Sequence, residues 1–114
     1  MHIRLFLGSL VLIGLTACTS VPPVGDMPAS IANATSASDH QRIADFFTEK
    51  AAKYDAEAVW HGKAANVYYA SRPKGDPIAM RAHCLSLQEQ FTNAAKEARA
   101  LADAHHQLAV GANQ

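Results

Sequence analysis

The stretch Ser71-Arg72-Pro73-Lys74-Gly75-Asp76-Pro77 interrupts two long helical patterns and predicts the turn of a helical hairpin. Pro73 disfavours helical conformation at the residue before it, and Gly75 permits a positive φ. Asp76 followed by Pro77 is a typical helix start, with a capping carboxylate and proline at the first helical position. We therefore expect one helix to end near residue 70 and a second to begin near residue 77.

On both sides of this turn, small or apolar residues recur at alternating steps of four and three, the spacing of a seam between packed α-helices. Before the turn the predicted seam is His40, Ala44, Phe47, Ala51, Tyr54, Ala58, His61, Ala65 and Tyr68. After the turn it is Met80, Cys84, Leu87, Phe91, Ala94, Ala98, Leu101, His105, Leu108 and Ala112. The sequence thus predicts an all-α fold, an antiparallel, coiled-coil-like two-helix hairpin over residues 38–112. Its helices cover about 38–70 and 77–110, and its seam is rich in alanine.

The position of the turn also predicts which seam residues face each other. In an antiparallel hairpin centred between Arg72 and Pro73, the numbers of facing residues sum to 145. The facing pairs are then His61 with Cys84, Tyr54 with Phe91, Phe47 with Ala98, Ala51 with Ala94 and His40 with His105. Each helix is about 50 Å long at 1.5 Å per residue.

The first helix has one candidate start and one unusual interior residue. Ser38-Asp39-His40-Gln41 fits a capping box, in which the serine and glutamine side chains satisfy free backbone N–H groups. Gly62 lies inside the helix, where glycine costs about 1 kcal/mol relative to alanine. Two interpretations of Gly62 are open: a tolerated surface residue, or a place where a partner backbone approaches beside His61.

Residues 1–17 have the layout of a signal peptide. His2 and Arg4 precede the apolar run 5–15, which ends in Thr16-Ala17-Cys18. A run of this length is too short to cross a bilayer, which takes about 20 helical residues. Residues 18–37 contain three prolines and many small residues without a periodic pattern, and they predict a flexible tether between Cys18 and the hairpin.

The sequence Leu15-Thr16-Ala17-Cys18 resembles the lipobox of bacterial lipoproteins. The resemblance implies that signal peptidase II cuts before Cys18 and that the Cys18 thiol carries a diacylglycerol, detectable as palmitate. Thr19 differs from the Asp of an inner-membrane retention signal, so the resemblance implies the periplasmic face of the outer membrane rather than the inner membrane. The alternative, ordinary secretion with a chance cysteine, would give a soluble periplasmic protein. The layout is similar to that of small helical-hairpin lipoproteins of Gram-negative bacteria, which implies no defined activity.

The composition excludes several classes of function. The chain has 114 residues, enough for one domain, with ten basic and ten acidic residues and no basic patch, which argues against nucleic-acid binding. The sequence contains no H-E-x-x-H, C-x-x-C, glycine-rich phosphate loop or G-x-S-x-G pattern. We therefore expect that the protein is not an enzyme.

The seam histidines are candidate metal ligands. His61 is predicted to face Cys84 with His83 adjacent, and His40 to face His105 with His106 adjacent. Imidazole and thiolate ligands at one level of a helical bundle can hold Zn or Cu. The alternative is that these histidines are ordinary core residues. The two levels are about 31 Å apart along the helix, so they would be separate sites.

A second apolar stripe, Phe46, Trp60 and Val67, lies beside the seam at heptad spacing. A hairpin buries one stripe of each helix, so this extra stripe predicts a partner, most simply a second hairpin forming a four-helix bundle. The alternative is contact with lipid, which the lack of a flanking Lys/Arg cluster disfavours. The sequence thus favours a lipid-anchored structural or interaction module of the cell envelope, self-associating or binding another envelope protein. The alternative is a metal-binding or metal-sensing bundle.

Overall fold

The computed structural model describes residues 26–114, which form three α-helices and no strand. The helices are α1 (Met27–Ala32), α2 (Ala37–Ser71) and α3 (Pro77–Gly111). The two long helices pack against each other as an antiparallel hairpin, and α1 contacts α2. The prediction of an all-α helical hairpin is confirmed. The signal peptide and Cys18 lie outside the described residues.

The turn is formed as predicted. Arg72 ends α2 in the left-handed conformation with a φ of 42°, and Gly75 has a φ of 109°. The Asp76 carboxylate accepts a hydrogen bond from the Ala79 N–H at 3.0 Å, so Asp76 caps α3 immediately before Pro77. At the other end, α3 ends at Gly111, one residue beyond the predicted end near residue 110, and Gly111 has no positive φ.

The start of α2 differs from the prediction. Ser36, not Ser38, is the N-cap, and its hydroxyl accepts a hydrogen bond from the Asp39 N–H at 3.1 Å. The Asp39 carboxylate accepts from the N–H groups of Ser36 at 3.0 Å and Thr35 at 3.2 Å. Gln41, the predicted box partner, instead donates to Asp45 at 2.8 Å. The charged Asp39 side chain satisfies two backbone donors at once, which favours the earlier start.

The prediction of a flexible tether is wrong for part of its range, because α1 lies within residues 18–37. Asp26 caps α1 by accepting a hydrogen bond from the Ala29 N–H at 3.1 Å. At the other end, the Asn33 side-chain amide donates to the Ala29 carbonyl at 2.8 Å. Caps at both ends and the contact with α2 stabilise a helix too short to persist alone.

The seam of α2 lies where the sequence predicts it. Its alanines are buried, at 0–8% exposure, and the larger seam residues between them are half-buried. Two of the predicted pairings are also observed: His40 contacts His105, and the Tyr54 and Phe91 rings lie 6.1 Å apart. Ile43, outside the predicted seam, is the largest fully buried side chain, at 2% exposure.

The prediction for the seam of α3 is correct for one of its two rows. The row Cys84, Phe91, Ala98 and His105 faces α2, but Met80, Leu87, Leu101 and Leu108 are exposed. The second inward row lies one residue later and consists of half-buried Arg81 and Gln88 and buried Ala95, Ala102 and Ala109. Alanines on both helices allow close approach, and large leucines fit at the edge of such a contact but not between the helices. The predicted pairing of Ala51 with Ala94 therefore places the wrong alanine of α3 at the seam.

Within residues 26–114, no helix is both long and apolar enough to cross a membrane.

Candidate functional site

His40 and His105, which the sequence predicts at the same level of the hairpin, are in direct contact through their imidazole rings. Their Nδ1 atoms are 3.1 Å apart, and the ring centroids are separated by 5.3 Å. This distance fits a hydrogen bond in which one ring carries hydrogen on Nδ1 and the other presents a lone pair. The two long helices thus hold two facing imidazoles near the start of α2 and the end of α3.

The surroundings of His105 favour its uncharged state. The Phe47 ring stacks on His105 with centroids 6.3 Å apart and an interplanar angle of 18°. Burial, and to a smaller extent the neighbouring His40, lowers the pKa of His105 below its usual value. A positive charge on His105 is therefore less favourable here than on an imidazole in water.

His61 lies among aromatic rings. It stacks on Phe91 with centroids 5.5 Å apart and an interplanar angle of 9°, and meets the Trp60 ring edge-on at 4.7 Å. Its Nε2 is 3.9 Å from the Glu57 carboxylate, and its buried Nδ1 has no hydrogen-bond partner among the described residues. The ring therefore acts mainly as a flat packing surface of the seam.

The other predicted metal ligands do not complete a site. Cys84 is a free, half-buried thiol, His83 is exposed and His106 is half-buried. Among residues 26–114, no three His, Cys, Asp or Glu side chains are grouped to hold a metal ion. Of the predicted ligands, the structure brings His40 and His105 into direct contact, and metal binding stays a prediction.

Gly62 faces the other helix of the hairpin. A Cβ atom at Gly62 would lie 2.7 Å from the Gln88 side-chain nitrogen of α3. Neither earlier interpretation is therefore correct in full: Gly62 is not simply a surface residue, and its close neighbour is a side chain of the same chain. Because that neighbour is the end of a flexible side chain, an alanine here would displace Gln88 without moving the backbone.

The stripe predicted for partner binding is largely exposed. Trp60 is 60% exposed and Val67 is 58% exposed. Phe46 is half-buried, meeting the Phe47 ring edge-on at 5.2 Å, and the Lys50 ammonium lies 5.7 Å from the Phe46 ring centroid. These side chains give α2 an apolar row outside the seam.

The exposed residues of α3 lie on the same face of the hairpin as this row. The residues Phe46, Trp60, Val67, Met80, Leu87, Leu101 and Leu108 each directly precede a residue of the inward-facing rows. Asp55 and Arg99 each follow a seam residue, and their side chains bridge the two helices at 2.7 Å. Since one residue turns a helix by about 100°, residues before and after a seam position lie on opposite sides of it. The bridge marks one face of the hairpin, and the seven apolar residues lie on the opposite one, where Lys50, Lys53 and Glu57 also lie; we name these seven residues the apolar face.

Sequence reasoning missed half of the apolar face because it placed the leucines of α3 in the seam. One signal could have found them. Three alanines of α3, Ala95, Ala102 and Ala109, recur at heptad spacing, as the seam alanines of α2 do, whereas the neighbouring row carries leucines.

No protein-family model, curated protein or solved structure matches the chain.

Proposed function

We propose that this chain is a lipid-anchored protein of the bacterial cell envelope whose helical hairpin acts as a structural or interaction module. The observation that carries the interaction role is the apolar face, with Trp60 and Val67 more than half exposed. Soluble monomers rarely expose contiguous apolar surface of this extent without a binding role. The proposal assigns no catalytic role to the protein.

The anchor part of the proposal is supported by Leu15-Thr16-Ala17-Cys18 directly after an apolar run. Residues 19–25 separate Cys18 from Asp26, the first described residue, and the eight residue steps between them span at most about 29 Å. A lipid on Cys18 would therefore keep Asp26 within that distance of the membrane surface. Thr19 favours the periplasmic face of the outer membrane as the location.

Labelling with radioactive palmitate tests the anchor. The wild-type chain should incorporate label and fractionate with the membrane, and Cys18→Ser should lose both properties because the thiol is the site of lipid attachment. Cys84→Ser is the matched control, since it removes the second cysteine and should leave labelling unchanged. Undiminished labelling of Cys18→Ser would refute the anchor.

Metal binding is a second candidate, favoured by the His40 and His105 contact. Tetrahedral Zn with Zn–N bonds of about 2.0–2.1 Å holds two imidazole nitrogens about 3.3 Å apart, close to the observed 3.1 Å. Two further ligands would have to come from water or another chain. If this candidate is right, Zn, Cu or Ni should raise the melting temperature of the wild type but not that of His40→Leu/His105→Leu. Testing His61→Leu/Cys84→Ala beside it would separate the two predicted levels.

A further inference from the structure

We propose that the apolar face binds a second copy of the same chain, with α2 of each copy packed on α3 of the other in a two-fold symmetric four-helix bundle. This inference rests on the proposed role as an interaction module and names its partner. The two-fold axis is parallel to the long axis of the hairpin and passes between the two copies. A rotation of 180° about it lays the apolar face of one copy on that of the other. The same rotation places α2 of one copy antiparallel to α3 of its neighbour, at the same level along the bundle.

The sizes of the side chains match in this arrangement. Within one hairpin, the numbers of facing α2 and α3 residues sum to 145. A residue of α2 in one copy and a residue of α3 in the other that lie at the same level therefore have numbers with nearly the same sum. At a sum of 147 the rows align at heptad intervals, with these facing pairs: Phe46 and Leu101, Lys53 and Ala94, Trp60 and Leu87, and Val67 and Met80.

One level of this alignment identifies a second copy as the occupant. Lys53 is the one charged residue in the α2 row between Phe46 and Val67, and it falls opposite Ala94, the one small residue in the α3 row between Met80 and Leu108. The Ala94 methyl group leaves room for the aliphatic stem of Lys53, whose ammonium stays paired with Glu49 at 2.7 Å. This complementarity joins the α2 row to the α3 row of the same sequence, which is expected if the partner is a second copy.

Charge follows the same register. Lys50 borders the α2 row, and the residue whose number completes a sum of 147 is Glu97, on the outer side of the α3 row. Lys50 of one copy therefore comes to the same level as Glu97 of the second copy. Without residues 1–17 the chain loses Arg4 and keeps nine basic and ten acidic residues, so its net charge adds little repulsion to the association of two copies.

The area is suitable for a dimer. The exposed fractions of Trp60, Val67 and the four α3 residues leave apolar surface on the order of 600 Å². A stable interface takes roughly 800 Å² from each partner, so the apolar face with its polar rim is of the required size. Burial of these side chains supplies the driving force for association.

Cross-linking between differently tagged full-length chains tests this arrangement. Both chains carry Cys84→Ser and keep Cys18; one carries Trp60→Cys and the other Leu87→Cys. A short bis-maleimide that bridges packed helices, whose axes lie about 8–10 Å apart, should join the two tags in the same complex. A chain with Trp60→Cys alone should give no dimer, because the two α2 helices are diagonal to each other in this bundle.

Val59→Cys with Leu85→Cys is the matched control, since both residues are exposed, at 55% and 38%, and lie on the face of the Asp55 and Arg99 bridge. This pair should give no mixed-tag product. Equal products from both pairs, dimers through Trp60→Cys alone, or no product from the Trp60 and Leu87 pair would each overturn the proposal. Chains with Cys84→Ser and no added cysteine report separately on the anchor: cross-linking through Cys18 would show a free thiol there and contradict lipidation, and the product of these chains is subtracted from that of each mixed-tag pair.

Discussion

Replacing Ala95 by leucine tests the close approach of α2 and α3. Ala95 is 0% exposed, and its neighbour Ala94 is half-buried at the edge of the apolar face. Adding three heavy atoms to a well-packed contact typically costs about 1–3 kcal/mol, because helices or rotamers must shift. Alanine and leucine are both strong helix formers, so helix propensity adds little to the change. We expect Ala95→Leu to lower the free energy of unfolding by about 2 kcal/mol.

Ala94→Leu is the matched control, because the added atoms extend the exposed row between Leu87 and Leu101. At protein concentrations low enough to keep the chain monomeric, its effect should stay within about 0.5 kcal/mol, because half-buried Ala94 leaves the added atoms free to point outward. Thermal unfolding followed by circular dichroism should show a melting temperature roughly 10 °C lower for Ala95→Leu, given about 4–8 °C per kcal/mol for a domain of this size. Measurements at several protein concentrations separate folding from association. A larger loss for Ala94→Leu would refute the observed seam and restore the pairing of Ala51 with Ala94.

Three further outcomes follow from the caps and the histidines. Ser36→Ala should lower the free energy of unfolding by about 1 kcal/mol in urea titrations and Ser38→Ala by much less, and the reverse order would place the N-cap at Ser38. His61→Leu should leave that free energy unchanged or raise it by up to about 1 kcal/mol, because Nδ1 is buried with no hydrogen-bond partner among residues 26–114; a clear loss would indicate a hydrogen bond to Nδ1. Because the pKa of His105 is lowered in the folded state, the unfolded chain binds this proton more tightly, so stability should be highest above about pH 6.5 and fall as the pH decreases through that value. His105→Gln should weaken this dependence in urea titrations from pH 7.5 to pH 5, and a dependence of equal size would assign it to other groups.

The hairpin could be predicted because its turn and the seam of α2 are encoded locally. Pro73, Gly75 and Asp76 each have one favourable backbone role in this turn, and the structure uses all three. Once the turn is placed, the levels of the pairs follow from equal rise along two helices. That is why Tyr54 with Phe91 and His40 with His105 were found from sequence.

The row of α3 could not be predicted by the rule that large apolar residues fill the seam. That rule fails where alanines on both helices bring the backbones close, and the choice between Leu87 and Gln88 then depends on the space left by the other helix. Helix starts carry a similar ambiguity. Ser36 and Ser38 are both good caps, and the two hydrogen bonds accepted by Asp39 favour Ser36.

The candidate metal levels show a different limit of sequence reasoning. Residue numbers place His61 at the level of Cys84, but they do not give the orientation of its ring. The parallel stack on Phe91 and the edge contact with Trp60 set that orientation. The sequence likewise predicts only part of the apolar face. Its heptad pattern indicates the stripe with Trp60 and Val67, but it places the leucines of α3 in the seam.

The most direct test of the lipid-anchored hairpin is the intact mass of the chain extracted from membranes. We expect a chain that begins at Cys18, lacks residues 1–17 and carries the added mass of a diacylglycerol, with or without a further acyl group on the new amine. Fragmentation should place this mass on Cys18, not on Cys84. An unmodified chain, or a mature protein beginning at another residue, would rule out the lipid anchor on Cys18.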